Sequence, residues 1–439
     1  MENIQTTVTR EDLAAAVTDE RGVKYSPDGL RLLKAPSYEL SGSYAIKPGT
    51  KIICTQAFCG CTVTDITIPE GVAIIGNCAF MRCSSLASII IPDSVTAIGG
   101  YAFLKCRSLK SINNPDGVKY IGCGAFEMCI SLTSIIIPEG VATIEMRSFA
   151  ECRSLTSISI PDSVTSIEGW AFLGCQSLTS IVIPDSVISI GDRAFEWCTS
   201  LNSIEIPDSV TCIDDRAFSM CNNLKSITIP VSVKEMRGNP LYDWNGELIN
   251  MSPYFTYEEG VLFNKNKDTL IAFRRQDATS YIIPGSVTSI GNSVFLGCSS
   301  LNCVIIPDNV TSIGNSAFAG CSSLTSIVIP DSVTRIGDSA FSGCSSLTSI
   351  VIPDGVTSIS DGAFEGCSSL MNIVIPDSVT SIGFNAFNEC KLLTSITIPD
   401  SVTYVGDGAF DLCDSLSTAK REEIEKRFGE DAFDSFVLF

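Results

Sequence analysis

Apolar residues in this chain recur at fixed places in a unit of 23 residues rather than at one simple helix or strand period. With the proline of each "IP" pair as position 0, the apolar columns are Val at 3, Ile at 6, Phe at 11, Cys at 14, Leu at 17, and Ile at 20 and 22. Those prolines stand at 69, 92, 115, 138, 161, 184, 207 and 230, then at 284, 307, 330, 353, 376 and 399. A period of this length predicts a solenoid, because one unit cannot bury its apolar side without neighbours above and below. The closing "LxxIxI" has the alternation of a strand with one face inward, stacking in parallel on the next copy at about 4.8 Å. Between positions 6 and 17 the spacing of three to five predicts one or two helical turns around "AFxxC". The proline that follows the strand lacks an N–H and opens a turn.

Thirty-one residues interrupt the array between the prolines at 230 and 284. They alternate apolar and polar around "NKNKD", which predicts a β-hairpin. The N-terminal stretch echoes this insert: Tyr25 with Asp28-Gly29 resembles Tyr257 with Glu259-Gly260, and "SYAIKPGT" resembles "SYIIPGSV". One module thus occurs twice, each copy leading into an array. At the far end "STAKREEIEKRFG" reads as a capped helix with a Glu422–Lys426 pair and a glycine stop. Together with the terminal "FVLF" it is expected to cover the last coil. The resulting division is an N-terminal cap module over 1–45, a first array over 46–236, the insert over 237–283, a second array over 284–418 and a C-terminal cap over 419–439.

The repeat "LTSIVIPDSVTSIGxxAFxxC", with its strand signature "LxxIxIP", resembles the BspA-like class of bacterial leucine-rich repeat over roughly residues 46–236 and 281–418. The resemblance implies an α/β solenoid: a right-handed coil with a parallel concave sheet and short helical turns on the other side. It also implies kinship with surface proteins of mucosal bacteria and protozoa that bind host or neighbouring-cell proteins.

Composition narrows the chemistry. The 49 acidic residues outnumber the 29 basic ones, giving a formal charge of −20, and no basic cluster suits phosphate, so nucleic acid is not an expected partner. Histidine is absent, which removes Ser-His-Asp and Cys-His catalysis and His-ligated metals. No apolar run is long enough for a transmembrane segment, and the start carries no signal-peptide pattern. The chain as written reads as cytoplasmic, with a surface or secreted location if a leader was removed.

Most of the 20 cysteines fall in the position-14 column, where stacked Cβ atoms about 5 Å apart are too distant for a disulfide and pack as small hydrophobes. Cys54, Cys59, Cys61, Cys78 and Cys83 cluster near the start without the paired CxxC spacing of a thiolate metal site. So many unpaired thiols suit a reducing compartment. A carboxylate follows nearly every repeat proline, as in Asp93, Asp331 and Asp354, but one per coil offers too few oxygens for Ca²⁺, and Asp in such a turn can accept backbone N–H bonds. No cofactor or metal is expected.

Two surfaces remain as candidates for contact. Position 21 carries Ile90, Ile136, Val182, Ile305, Val328, Val351 and Val374, which face outward if positions 20 and 22 face in. The variable positions 8, 9, 12, 13 and 15 hold large side chains in the first array and mostly Asn, Ser, Gly and Asp in the second. Trp, Tyr and Arg anchor interfaces, so the partner-binding candidates are Tyr101, Arg107, Arg153, Trp170, Arg193, Trp197 and Arg216, with Tyr242, Trp244 and Tyr257 of the insert beside them. The reading is a non-enzymatic protein-binding solenoid of adhesin or scaffold type. A structural spacer, or an enzyme with a pocket at the insert, would be the other classes.

Overall fold

The computed structural model describes residues 6–113 and 115–434. Its 23-residue coils stack in register, so that each side chain meets its counterpart one coil away. The strand at positions 19–21 forms as expected, for example Ser349–Val351 with Asn372–Val374 and then Ser395–Thr397, all parallel. A second parallel ladder runs along positions 5 and 6, as in Ser358–Ile359, Ser381–Ile382 and Tyr404–Val405. Its sequence signal was only the isolated Ile at position 6, too short for an alternation to show.

The "AFxxC" segment is not helical, which corrects the helical turns expected on that side. Its N–H groups divide by parity. Those of Ala340, Ser342 and Cys344 bond within the segment to Gly337, Ser339 and Phe341. Those of Ser339, Phe341 and Gly343 reach the next coil, to the carbonyls of Asp361, Ala363 and Glu365. A helix would spend every N–H internally and, at about 10 Å across, could not stack at the coil spacing. The ring centroids of Phe318 and Phe341 lie 5.3 Å apart, and those of Phe341 and Phe364 5.6 Å. A chain of tight turns satisfies both directions, and it requires left-handed backbone at positions 9 and 13, as at Ser339 (φ 52) and Gly343 (φ 68).

The core is a set of ladders. Phe103, Phe126 and Phe172 are fully buried, as the stacking model of the coil required, and neighbouring rings are nearly parallel. The position-14 cysteines are buried and free beside them. At the "PDS" turn the aspartates point to solvent, and the serine makes the bond between coils: Ser332 donates to the Val310 carbonyl at 2.6 Å, and Ser378 to that of Val356 at 2.7 Å.

The chain divides into two compact units, Met1–Glu235 with Trp244–Ser252, and Met236–Asp243 with Pro253–Phe439. Within the first, part of the interrupting stretch supplies one more rung, since Glu247–Asn250 pairs in parallel with Ser226–Ile229. Within the second, Phe255–Glu258, Val261–Asn264 and Thr269–Phe273 form an antiparallel meander whose last strand joins the ladder through Ser289–Ile290. The hairpin over "NKNKD" is its second half. The first unit begins with the same topology: Val17–Thr18, Lys24–Tyr25 and Arg31–Lys34 are antiparallel neighbours, and the last joins Ile52–Ile53 in parallel. The duplication is real in topology, but the correspondence differs from the one read in sequence. Gly22 and Gly260, both at φ 80, open the matching hairpins, so Tyr25 corresponds to Phe263 rather than to Tyr257.

At the end of the second unit, the helix Thr418–Phe428 starts on the Ser417 cap and buries Ile424. Its ion pairs are Lys420–Glu423 and Arg421–Glu425, not the anticipated Glu422–Lys426. Arg427 donates to the carbonyls of Ile398, Pro399 and Val402, and the turn Glu430–Phe433 accepts the last coil's N–H groups from Gly408 and Phe410. The "FVLF" tail lies outside the described residues.

Candidate functional site

Because the turn wall demands left-handed backbone at positions 9 and 13, each coil must place some residue there at a conformational cost. In the second unit that residue is usually small: Ser293, Gly297, Ser316, Gly320, Ser339, Gly343, Gly362 and Gly366 all have positive φ. In the first unit the same places hold Tyr101, Lys105, Met128, Arg147, Glu151, Trp170, Arg193, Trp197, Arg216 and Met220, with glycine at 124 and 174. A left-handed conformation costs a residue with a Cβ roughly 1–2 kcal/mol. The first unit therefore carries a row of large side chains where glycine would be more stable.

These side chains form one edge. The Trp170 ring is flanked by two guanidinium groups, Arg147 at 5.2 Å and Arg193 at 5.6 Å from its centroid. Carboxylates in the same row steady the arginines: Arg147 pairs with Glu127 at 3.4 Å, Arg193 with Glu196 at 3.4 Å and Arg216 with Asp215 at 3.6 Å. Burial pushes the carboxyls of Glu127 and Glu196 above the ordinary range, and the neighbouring guanidinium groups oppose that shift. Trp197, 44% exposed, extends the aromatic surface, and Arg153 reaches solvent while held by Glu151 at 2.8 Å. Arg107 is exposed. Tyr101 lies across the next coil, where Gly124 leaves room for its ring, and Cys123 donates to its hydroxyl at 3.5 Å.

The insert candidates separate. Trp244 is buried and donates from Nε1 to the Leu224 carbonyl at 2.7 Å, so it is a packing residue of the first unit and offers no contact surface, contrary to expectation. Tyr242 is half-buried in the second unit and packs against Gly297. Tyr257, also half-buried, accepts a hydrogen bond from Arg274 Nη1 at 2.9 Å. Of the first-array candidates the structure brings Trp170 and Arg193 into contact, whereas Tyr242 and Tyr257 belong to the second unit. Sequence reasoning named the large residues but missed Arg147 as the second cation on Trp170, although its place 23 residues before Trp170 was visible in the repeat.

The strand face supplies the second surface. Val182 is 80% exposed, and in the second unit Ile282, Ile305, Val328, Val351 and Val374 follow one another outward on five successive coils. Among the described residues no group of three or more Cys, Asp or Glu side chains is arranged to hold a metal ion, and no helix is long and apolar enough to cross a membrane.

Stacked coils with a parallel ladder ending in "IP" define a leucine-rich-repeat solenoid. More narrowly, the chain belongs to the family described as the BspA type leucine rich repeat region, whose model matches residues 51–176, 142–268, 270–371 and 357–438. Among solved structures it is similar to a leucine rich cell surface protein of Faecalibacterium prausnitzii, at 28% identity and a TM-score of 0.50, with 95% of this chain and 98% of that one covered. A leucine-rich repeat protein of Bacteroides ovatus is also 28% identical, with 96% and 97% covered and a TM-score of 0.44. The pneumococcal vaccine antigen PcpA is 18% identical, with 96% and 99% covered and a TM-score of 0.44. No curated protein sequence matches the chain.

Proposed function

We propose that this protein is a non-enzymatic binder that recognises a protein partner through the first unit's Tyr–Arg–Trp edge, in an adhesin-type or scaffold role. The observation that carries the reading is the predominance of large side chains at left-handed positions from Tyr101 to Arg216, interrupted by Gly124 and Gly174, against mostly glycine and serine in the second unit, where Asn385, Glu389 and Leu412 are the exceptions. A repeated cost in folding is understandable where the side chains are used for contact, and these are the residue types that anchor interfaces. The similarity to a leucine rich cell surface protein supports such a role. Nucleic acid is outside the proposal, because a formal charge of −20 opposes a phosphate backbone.

Catalysis is outside it for a chemical reason. One cleft beside the insert is lined by Met236–Gly238, Thr269, serines, asparagines and isoleucines, with arginine as its only ionisable residue type, and it has no group that could exchange a proton near neutral pH. A second cleft at the insert carries the carboxyls of Glu258 and Glu259 beside Arg275 and Tyr281, but in a chain without histidine it has no imidazole to partner them.

The test is binding to purified, immobilised surface proteins by interferometry, comparing the native chain with a Trp170→Gly/Trp197→Gly variant. Glycine suits both backbone positions, so folding is retained. At least a tenfold loss of affinity for a captured protein, with unchanged circular dichroism, is the expected result. Equal affinity of the two chains would remove this edge from the interface.

A further inference from the structure

The second unit contains a cleft of about 280 Å³ along its position-5 ladder, and it differs in charge from the rest of the molecule. In a chain with 49 acidic residues none lines it, whereas Arg237 and Arg335 both do. Strand register places Ser289, Ser312 and Arg335 on successive rungs of one face. Arg335 is exposed and, among the described residues, its guanidinium forms no ion pair.

The other polar groups are oriented by the ladder itself. The hydroxyls of Ser289 and Ser312 are 2.9 Å apart, so they share one proton between them and keep a second O–H for a ligand. Asn292 accepts the Asn315 N–H on Oδ1 at 2.9 Å, which turns its amide NH₂ outward as a donor. Behind them the side chains of Ile290 and Ile313 turn into the core, and Gly291 and Gly314 let successive coils approach, since a Cβ there would lie 2.8 and 2.6 Å from the preceding coil's backbone.

We infer that this cleft binds a single carboxylated sugar residue, a uronic or sialic acid. Its carboxylate would take the planar guanidinium fork of Arg335, and its hydroxyls Ser289, Ser312 and Asn292. The volume is at the lower end of small-molecule sites, which suits one ring. A phosphate monoester is disfavoured because three of the backbone donors along the ladder, of the kind such dianions use, are committed: Gly291 N–H to Leu270, Gly314 N–H to Ile290, and Asn315 N–H to Asn292. The site lies in the second unit and is independent of the protein-binding edge proposed for the first.

Saturation-transfer NMR on the full chain, titrated separately with glucuronate, N-acetylneuraminate, glucose and inorganic phosphate, tests it. Glucuronate or N-acetylneuraminate should saturate below about 10 mM, with glucose and phosphate at least tenfold weaker. Arg335→Gln, an exposed change, should weaken the acid sugar at least tenfold without altering thermal unfolding. The inference is overturned if neither acid sugar saturates, if glucose or phosphate competes equally, or if Arg335→Gln binds like the native chain.

Discussion

The thiol of Cys344 donates to the carbonyl oxygen of Phe318, one coil earlier, at 3.2 Å. The same oxygen also accepts the backbone N–H of Cys321, so both of its lone pairs are used inside the core. Cys321 to Phe295 and Cys367 to Phe341 repeat the contact at 3.1 Å each. The cysteine column therefore stitches coils together as well as filling space. Cys344→Ala should cost about 1–3 kcal/mol, combining a lost hydrogen bond with a small void. Urea unfolding measures it, and an unchanged midpoint would show that the S–H bond contributes nothing.

Thiol exposure gives a sharper check. In the native protein a chromogenic disulfide reagent should modify Cys303 first, then the half-exposed Cys59, Cys78 and Cys123, leaving the buried column silent until denaturant is added. Rapid native modification of Cys344 would contradict its place in the core.

The same column makes stability fall at alkaline pH. Burial pushes the thiols of Cys221, Cys298, Cys367 and Cys413 up to about 12 from an ordinary value of 9.0. Between about 9 and 12 the unfolded chain has released these protons and the folded chain has not. Each thiol then removes up to about 1.4 kcal/mol per pH unit. Unfolding midpoints should be insensitive to these groups at pH 7–8 and drop steeply above 9. A flat profile to pH 10.5 would be incompatible with neutral buried thiols.

At Trp197, φ is 63, and the usual ranking of alanine above glycine should invert. Both Trp197→Gly and Trp197→Ala lose the indole, but only glycine relieves the left-handed backbone, so the glycine variant should be more stable by about 1 kcal/mol. The reciprocal change, Gly343→Ala, should cost a similar amount through strain alone, since its Cβ would lie 3.5 Å from the nearest backbone atom. Equilibrium denaturation of the variants decides both.

Phe172→Ala should be severe, about 3–5 kcal/mol, because the ring is buried between Phe149 at 5.6 Å and Phe195 at 5.3 Å. In a solenoid each coil contacts only its neighbours, so hydrogen exchange should accelerate first in the coils around residue 172. Uniform acceleration along the chain would point to a single cooperative block instead.

Much of this was legible because the period repeats. The solenoid, the outward Val328 column and the buried Phe and Cys columns all follow from residue type at a fixed offset. The turn wall was not legible, because "AFxxC" has helical spacing and nothing local reveals that alternate N–H groups are claimed by the next coil. Trp244 shows the same gap: a tryptophan in an irregular insert looks like a surface anchor until the chain is seen to return beneath Leu224.

The amino-acid order determined which side chains lie inside, since a column of Phe, Cys and Leu every 23 residues can escape water only by stacking on itself. Tertiary structure decided what the backbone does between those columns. Hydrogen bonds to the next coil at about 5 Å rule out a helix and impose left-handed turns, and those turns bring Arg147, Trp170 and Arg193 onto one edge. That edge exists only after the coils stack, because its three members sit 23 residues apart and share no contact within a single coil.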